Sequence, residues 1–509
     1  MKKIKNIFLI IWQNPKYSMP LILLLWGLFY IFFGAIINRE NGLGFDGAHY
    51  GLIIKDFYNQ LLGDRLNPYR LQRIFPLFLA DLSLTIFKLP REDFYIIKFF
   101  QIYNLILLLL CSFIWNKISD IYRLDLIYIW LGFILGFINF GIAKMTFYYP
   151  VLTDTTAFAL GFCLLYFHIK DNLPGKIIIT ILGAFTWPSF LYIGLLMIIF
   201  PVNSNFEFSF INNNRKKSLN IYLAFILPLF FLMVSVYYVY KYLQGEPFKD
   251  IYTPVFSHFL YLDTILNYSL MVYFFYSFLP KGLSFENCYL FLKKVIRNMK
   301  IKNILISVFI FAVIYIILKM FSNQGISGSS YTLEILINCI SLYGISKPFA
   351  YVVTSVTYFG PCFIILFFFL KYFKSHLQNL GIGVYLSFVM CFLLLFTTET
   401  RIIINIFPVV VLLTVLVMKD FNLNKAMFFW ICLFSFILSK VYIPMFNIPG
   451  DKATIKEFFN YPNQLFFMNM FTISKLSYYI QGIVILLISF FIIFKIKRTK
   501  HSQKVLTEF

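Results

Sequence analysis

Residues 19–38 read MPLILLLWGLFYIFFGAIIN, an uncharged apolar run of 20 residues. A helix of this length spans the hydrocarbon core of a bilayer, which is about 30 Å thick. Similar runs recur along the chain of 509 residues, of which 60% are hydrophobic and only 13% are charged. A soluble protein of this size could not bury so much apolar surface. Because the backbone must satisfy its own hydrogen bonds in lipid, the sequence predicts an all-α, polytopic transmembrane helical bundle.

The apolar runs predict about 12–14 membrane spans within one integral membrane domain that covers residues 1–509. We expect the spans near residues 19–38, 93–115, 126–144, 154–169, 176–186, 188–200, 221–240, 263–280, 303–320, 350–370, 381–397, 402–418, 426–443 and 477–494. Residues 186–189 are either a turn between two short helices or a kink in one helix. The apolar stretch 74–88 contains Asp81 and Lys88, so we expect an interfacial helix there rather than a crossing.

The net charge of +22 arises from 44 Lys and Arg residues against 22 Asp and Glu residues. With a cytoplasmic N-terminus, most of the basic excess falls on the cytoplasmic side, in clusters such as 215–217, 293–297 and 495–498. This positive-inside bias predicts that both termini are cytoplasmic, with a secondary attraction to anionic lipid heads. Nucleic acid is therefore not predicted as a partner. The sequence contains no GxxxxGK[ST] loop and no strand-borne GxGxxG motif that would bind a nucleotide.

The first outer loop, residues 39–92, is expected to carry amphipathic helices and the acidic motif Gly44-Phe45-Asp46-Gly47-Ala48-His49-Tyr50. A helix that begins at Gly47 would place one apolar face on the membrane surface. That face would consist of Tyr50, Ile53, Ile54, Phe57 and Leu61. Asp46 is then either a simple helix cap or a functional carboxylate. His49 lies about one helical turn further on and is more often a local hydrogen-bond partner than a second base.

Residues 68–76, Pro-Tyr-Arg-Leu-Gln-Arg-Ile-Phe-Pro, supply Arg70 and Arg73, with Arg65 nearby. The i, i+3 spacing of Arg70 and Arg73 places both on one face if the segment is helical. They either snorkel to lipid headgroups or clamp a phosphate, whose oxygens match a planar guanidinium. The sequence leaves both interpretations open.

Two further outer segments carry polar residues at the start of a span. Asp154 follows the loop Tyr148–Thr153, and Glu399 and Arg401 precede the span near 402–418. Each acid could be only a helix cap. However, a carboxylate at membrane level is costly unless it has a partner or a use, and helix N-termini favour phosphate groups. One shared site explains all three acidic helix starts, whereas capping must explain each of them separately.

The order of these motifs resembles the GT-C superfamily of polytopic membrane glycosyltransferases, which act on lipid-linked sugar donors. Residues 45–50 resemble a first-loop DG-x-x-Y element, and residues 69–76 resemble a YR-x-x-R-x-x-P element of bacterial members. Asp154 resembles the second-loop acid, and Glu399-Thr400-Arg401 resembles a later E-x-R element before Pro408. The resemblance covers residues 1–200 and 390–415. It departs at Thr186-Trp187-Pro188, where similar enzymes often carry an arginine after the threonine.

The resemblance implies a transferase in the bacterial inner membrane, with an extracytoplasmic active site and a glycan or lipid of the cell envelope as acceptor. Asp46 would be the general base, and Arg70, Arg73 and Arg401 would stabilise charge on the leaving lipid phosphate. Asp154 would orient the acceptor, hold a divalent cation or tune Asp46. His49, Tyr50 and Glu399 are expected at the substrate. A site outside the cytosol has no ready access to nucleotide sugars, so a polyprenyl-phosphate sugar is the expected donor.

Two alternatives stay open at this point. The first is a polymerase or ligase of surface polysaccharide such as O-antigen, although the outer loops at 321–349 and 444–476 are poor in arginine. The second is a transporter or flippase for lipid or oligosaccharide, which would carry charged residues in mid-membrane. The location of the essential acids, in surface loops or in span centres, discriminates between a transferase and a transporter. The seven cysteines and five histidines are scattered, and their spacing indicates neither a disulfide framework nor a metal site.

Overall fold

The computed structural model describes residues 9–63, 66–202, 219–244, 260–278, 295–323, 347–396, 399–443 and 475–507, with a few single positions between 289 and 341. The described residues form helices and no strand. The predicted all-α fold class is therefore confirmed for these residues. Arg65, the basic cluster 215–217 and most of the outer loops 321–349 and 444–476 lie outside them.

We number the helices in chain order. They are α1 (Pro15–Phe33), α2 (Phe45–Lys55), α3 (Phe57–Leu62), α4 (Pro68–Leu71), α5 (Ile74–Ile86), α6 (Asp93–Ile121), α7 (Leu126–Phe137), α8 (Met145–Tyr148), α9 (Asp154–Ile169), α10 (Leu173–Ala184), α11 (Phe190–Ile199), α12 (Leu219–Leu243), α13 (Leu260–Phe278), α14 (Ile301–Phe321), α15 (Ala350–Phe359), α16 (Pro361–Phe368), α17 (Leu370–Asn379), α18 (Ile382–Leu395), α19 (Phe407–Asp420), α20 (Lys425–Ser439) and α21 (Lys475–Thr507). Short non-α turns of helix occupy Glu40–Gly42, Phe140–Lys144 and Thr400–Ile403.

Five of the described helices, α1, α6, α12, α14 and α21, are long and apolar enough to cross a bilayer. A sixth candidate is the bent pair formed by α7 and the segment Phe140–Tyr148, which meet at 63°. Several of these helices expose large apolar side chains, such as Leu25 at 61%, Phe309 at 69% and Phe490 at 71%. Such surfaces are expected to face lipid rather than water. Six of the remaining predicted spans, near 154–169, 176–186, 188–200, 350–370, 381–397 and 426–443, coincide with shorter apolar helices. The predicted spans 263–280 and 402–418 fall on α13 and α19, which are not among the helices long and apolar enough to cross a bilayer.

The structure corrects the expected position of the first-loop helix. The helix α2 begins at Phe45, not at Gly47, and its apolar side chains do not form a membrane-facing surface. Tyr50, Ile53 and Ile54 are at most 2% exposed because α2 packs against α5 and α6. The apolar face is therefore covered by protein, since the helix from residue 74 supplies the partner surface.

The stretch predicted as an interfacial helix at 74–88 forms α5. Its acidic residue Asp81 is 2% exposed and makes an ion pair of 2.7 Å with Arg91. The charge that suggested an interfacial position is therefore balanced by a protein partner.

One predicted span is interrupted, and one ambiguous break is resolved. The span 350–370 divides into α15, α16 and the start of α17, because Gly360 adopts φ +72° and Pro361 has no N–H to continue the hydrogen-bond ladder. The ambiguity at residues 186–189 is resolved as a turn between α10 and α11, which pack against each other.

The polar motifs lie at one end of the bundle. Asp154 begins α9, and His168 near the other end of that helix donates to the carbonyl of Leu380 at 2.9 Å. Leu380 precedes α18, whose far end leads to Glu399 and Arg401. The first residue of α9 and the segment that follows α18 are therefore at the same end.

Candidate active site

Arg401 is the centre of the candidate site, because it makes ion pairs with carboxylates from three segments of the chain. Its Nη2 contacts Asp46 Oδ2 at 2.6 Å, its Nη1 contacts Asp154 Oδ2 at 3.2 Å, and its Nε contacts Glu399 Oε2 at 3.0 Å. The Arg401 side chain is only 4% exposed. A planar guanidinium presents its donors in fixed directions, so this single side chain sets the relative positions of the three acids.

Asp46 is the most exposed of the three carboxylates, with 35% of its side chain accessible, against 23% for Glu399 and 9% for Asp154. It lies in the first turn of α2, and within the described residues its side chain makes no capping hydrogen bond. Burial alone would raise the pKa of Asp46, but the charges of Arg401 and Arg73 outweigh this effect and hold the pKa below its ordinary value. Asp46 is therefore ionised at neutral pH.

Asp154 is the buried member of the group. It is the first residue of α9, and no capping bond from its side chain or from Thr153 is present in the described part of the chain. Its Oδ2 binds Arg401, whereas no described residue hydrogen-bonds to its buried Oδ1. The preceding loop is fixed by Asn104, whose amide donates to the carbonyls of Thr146 and Pro150. Asp154 is thus a buried partner of Arg401 rather than a simple helix cap.

Arg73 lies beside this group and is only 2% exposed. Its Nη1 donates to Thr153 Oγ1 and its Nη2 donates to Tyr69 Oη, both at 2.7 Å. Its guanidinium stacks on the ring of Trp187 at 4.2 Å. Each terminal nitrogen thus gives one of its two N–H groups to a protein hydroxyl, and the buried Nε has no hydrogen-bond partner among the described residues.

Arg70 and His49 form the more open border of the site. Arg70 is half-buried, and its side chain makes no hydrogen bond or ion pair with the residues that the structure describes. His49 is exposed, and desolvation together with the charge of Arg70 lowers its pKa below the ordinary value. His49 is therefore neutral at pH 7. Tyr50, by contrast, is 1% exposed, and its hydroxyl has no hydrogen-bond partner among the described residues.

Several residues in the site were not identified as site residues from the sequence. Tyr69 and Thr153 bind Arg73, Trp187 stacks on it, and the Tyr149 hydroxyl accepts from the Gly47 N–H at 3.2 Å. Tyr69 precedes Arg73 by four residues and Thr153 adjoins Asp154, so local spacing could have suggested both. The contact with Trp187 spans more than one hundred residues of sequence, and no local pattern predicts it.

The three carboxylates around Arg401 do not constitute a metal site in this arrangement. Within the described ranges, no group of three or more His, Cys, Asp or Glu side chains is arranged to hold a metal ion. The guanidinium occupies the position between the acids that a divalent cation would need. Asp154 as a metal ligand, one of the alternatives from the sequence, therefore has no support from the geometry.

No protein-family model, no curated protein and no solved structure matches the chain. The resemblance in the motifs to GT-C enzymes therefore stays a prediction.

The backbone conformation of Gly44 is expected to fix the position of Asp46, and a substitution at Gly44 tests this. Gly44 adopts φ 74° and ψ −168°, a region that residues other than glycine enter at a cost of about 1–3 kcal/mol. A Cβ at this position would lie 2.5 Å from the ring of Tyr149. We expect Gly44→Ala to lower the thermal unfolding temperature in detergent and to displace Asp46. Gly136→Ala is the control, because its Cβ would approach Val411 no closer than 3.6 Å; equal unfolding temperatures for the two variants would contradict this account.

Proposed function

We propose that this protein is a polytopic membrane glycosyltransferase of the GT-C type, with about 12–14 spans and an extracytoplasmic active site. It would transfer a sugar from a polyprenyl-phosphate-linked donor to a glycan or lipid acceptor of the cell envelope. The observation that carries the proposal is the arrangement of Asp46. This ionised carboxylate is partly exposed, is oriented by a buried arginine and lies next to a second, buried acid.

Asp46 has the properties of a general base for this reaction. Only its Oδ2 bonds to Arg401, and the carboxylate is 35% exposed, so it can meet an acceptor hydroxyl. In the proposed step the acceptor oxygen forms a bond to the anomeric carbon while Asp46 takes the hydroxyl proton. The bond from the anomeric carbon to the phosphate oxygen breaks, and its electron pair leaves with the polyprenyl phosphate.

Charge on the leaving phosphate needs a cation, and the half-buried Arg70 is the best placed of the described candidates. Its guanidinium has no protein partner among the described residues, so its donors are available for phosphate oxygens. Arg401 and Arg73 would stabilise the phosphate through the electrostatic field of their charges, because both are buried, at 3% and 2% exposure, and both bind protein groups through their terminal nitrogens. This division modifies the clamp that the spacing of Arg70 and Arg73 suggests.

The position of the acids favours a transferase over a transporter. Asp46 lies in a short helix between α1 and α6, Asp154 is the first residue of α9, and Arg401 lies in the short turn before α19. A flippase would place its essential charges near the centres of spans. A lipid-linked donor also fits the apolar surface of the bundle, since its tail would stay in the bilayer while its phosphate reaches the helix ends.

Deletion of the gene in the organism that encodes it tests the proposal. We expect one surface glycan or glycolipid to lose a sugar and its polyprenyl-phosphate-linked precursor to accumulate, with both effects reversed by the wild-type gene. Mass spectrometry of lipid extracts and of released glycans measures both effects. Loss of long polymer with intact monomer units would favour the polymerase or ligase, and unchanged glycans and lipids would refute the transferase.

A further inference from the structure

We infer that Trp187 is a positioning residue that couples the arginine-bearing first-loop segment to the segment that carries Arg401. The inference rests on the proposed function and assigns a role to a residue that no sequence motif identified. Trp187 lies in the turn between α10 and α11 and is 1% exposed. Its two ends contact two different segments of the site, and each contact is of a different physical kind.

The ring of Trp187 faces the first-loop segment. The Arg73 guanidinium stacks on it at 4.2 Å. The same guanidinium donates a hydrogen bond to Thr153, the neighbour of Asp154. A desolvated cation–π contact of this kind is among the stronger ones. The backbone makes a second link, because the N–H of Phe75 donates to the carbonyl of Phe185 at 2.9 Å.

The indole N–H of Trp187 points to the Arg401 segment. It donates to the carbonyl of Ile402 at 3.0 Å, one residue after Arg401. Two residues further along the turn, Ser189 accepts a hydrogen bond from the Asn405 amide at 3.0 Å. The turn 185–189 is therefore attached to the Arg401 segment at two points.

These contacts close a ring of interactions around the proposed site. Arg401 binds Asp154, Thr153 binds Arg73, Arg73 stacks on Trp187, and Trp187 binds the backbone next to Arg401. Loss of one contact in such a ring lets the others shift. A misplacement of about 1 Å at a reacting group can reduce turnover by about a hundredfold, so Trp187 would influence Asp46 and Arg401 without touching substrate.

The test compares Trp187→Phe with Trp115→Phe in proteoliposomes supplied with the polyprenyl-phosphate-linked sugar that accumulates in the deletion strain. Trp115 is a matched control because it is 0% exposed and its indole N–H donates to the Ile129 carbonyl at 2.9 Å, away from the site. We expect kcat to fall about tenfold or more in Trp187→Phe with little change in KM, and to stay near wild type in Trp115→Phe. Equal kcat values in the two variants would show that Trp187 only packs in the core and does not position the site.

A second substitution at position 187 and a thermal-unfolding measurement complete the test. If Trp187→Phe does not fold, 3-benzothienylalanine at position 187 keeps the ring and removes only the N–H donor, and the same loss of kcat is expected. If wild type and Trp115→Phe both fail to use the donor, the proposed function is wrong, and the coupling is then judged from thermal unfolding alone. Trp187→Phe combined with Arg73→Lys should give a non-additive shift in the unfolding temperature. Additive shifts, as expected for Trp115→Phe with Arg73→Lys, would overturn the inference.

Discussion

Replacement of Asp46 by asparagine is expected to reduce sugar transfer by at least about a hundredfold, because the amide cannot accept the acceptor proton. The fold should survive the change. Arg401 retains its contacts with Asp154 and Glu399, and the partly exposed position of Asp46 accommodates an isosteric amide. Turnover of the lipid-linked donor in proteoliposomes, at equal amounts of inserted protein, measures the effect.

Asp93→Asn provides the matched control for this prediction. Asp93 lies near the end of the same outer segment and pairs with Lys55 at 2.7 Å, but it does not contact Arg401. We expect this variant to keep most of the wild-type turnover. Full activity of Asp46→Asn would remove Asp46 from the chemistry, and equal losses in the two variants would indicate a general sensitivity of the outer segment.

Replacement of Arg401 by methionine is expected to have the largest effect on folding. It would leave Asp154, with only 9% of its side chain exposed, without its counter-ion and next to two like charges. Breaking a buried ion pair by removing one partner typically costs about 3–5 kcal/mol, a large part of the stability of most proteins. We expect a marked fall in the thermal unfolding temperature or in the yield of folded protein.

Two companion variants separate charge from geometry at this position. Arg401→Lys keeps the charge but cannot reach three carboxylates in fixed directions, so it should recover part of the stability and little of the turnover. Arg123→Met removes an exposed arginine from the turn between α6 and α7 and should unfold near the wild-type temperature. Similar unfolding temperatures for Arg401→Met and Arg123→Met would show that the ion pairs around Arg401 do not stabilise the fold.

The helical fold was predictable because bilayer thickness imposes a length on apolar runs, and residues 19–33, 93–115 and 303–320 lie on long apolar helices. The predicted first span, 19–38, continues five residues beyond the end of α1 at Phe33. The charge bias predicts that residues 46, 154 and 401 share one side of the membrane. Their meeting at one end of the bundle agrees with that expectation. The roles of these residues in catalysis stay predictions.

The sequence could not show what holds the site together. The contact between Arg401 and Asp46 joins residues that are 355 positions apart, and no periodicity encodes such a pair. The same limit applies to α2. Its apolar residues have the pattern of a helix on the membrane surface, and the sequence does not show that α5 covers them. Arg73 illustrates a further limit, because spacing identifies an available cation but not the hydroxyl groups that already bind it.

The orientation of the site is the claim on which the choice of donor depends, and chemical labelling tests it most directly. His49→Cys, in a background without the seven native cysteines, places a thiol at an exposed position one turn from Asp46. Arg123→Cys places a thiol just after the C-terminal end of α6, whereas the outer segment that contains position 49 precedes the N-terminal end of that helix. The account predicts that a membrane-impermeant maleimide labels position 49 in intact cells and position 123 only after permeabilisation. The reverse pattern would place Asp46 on the cytosolic side and contradict the account.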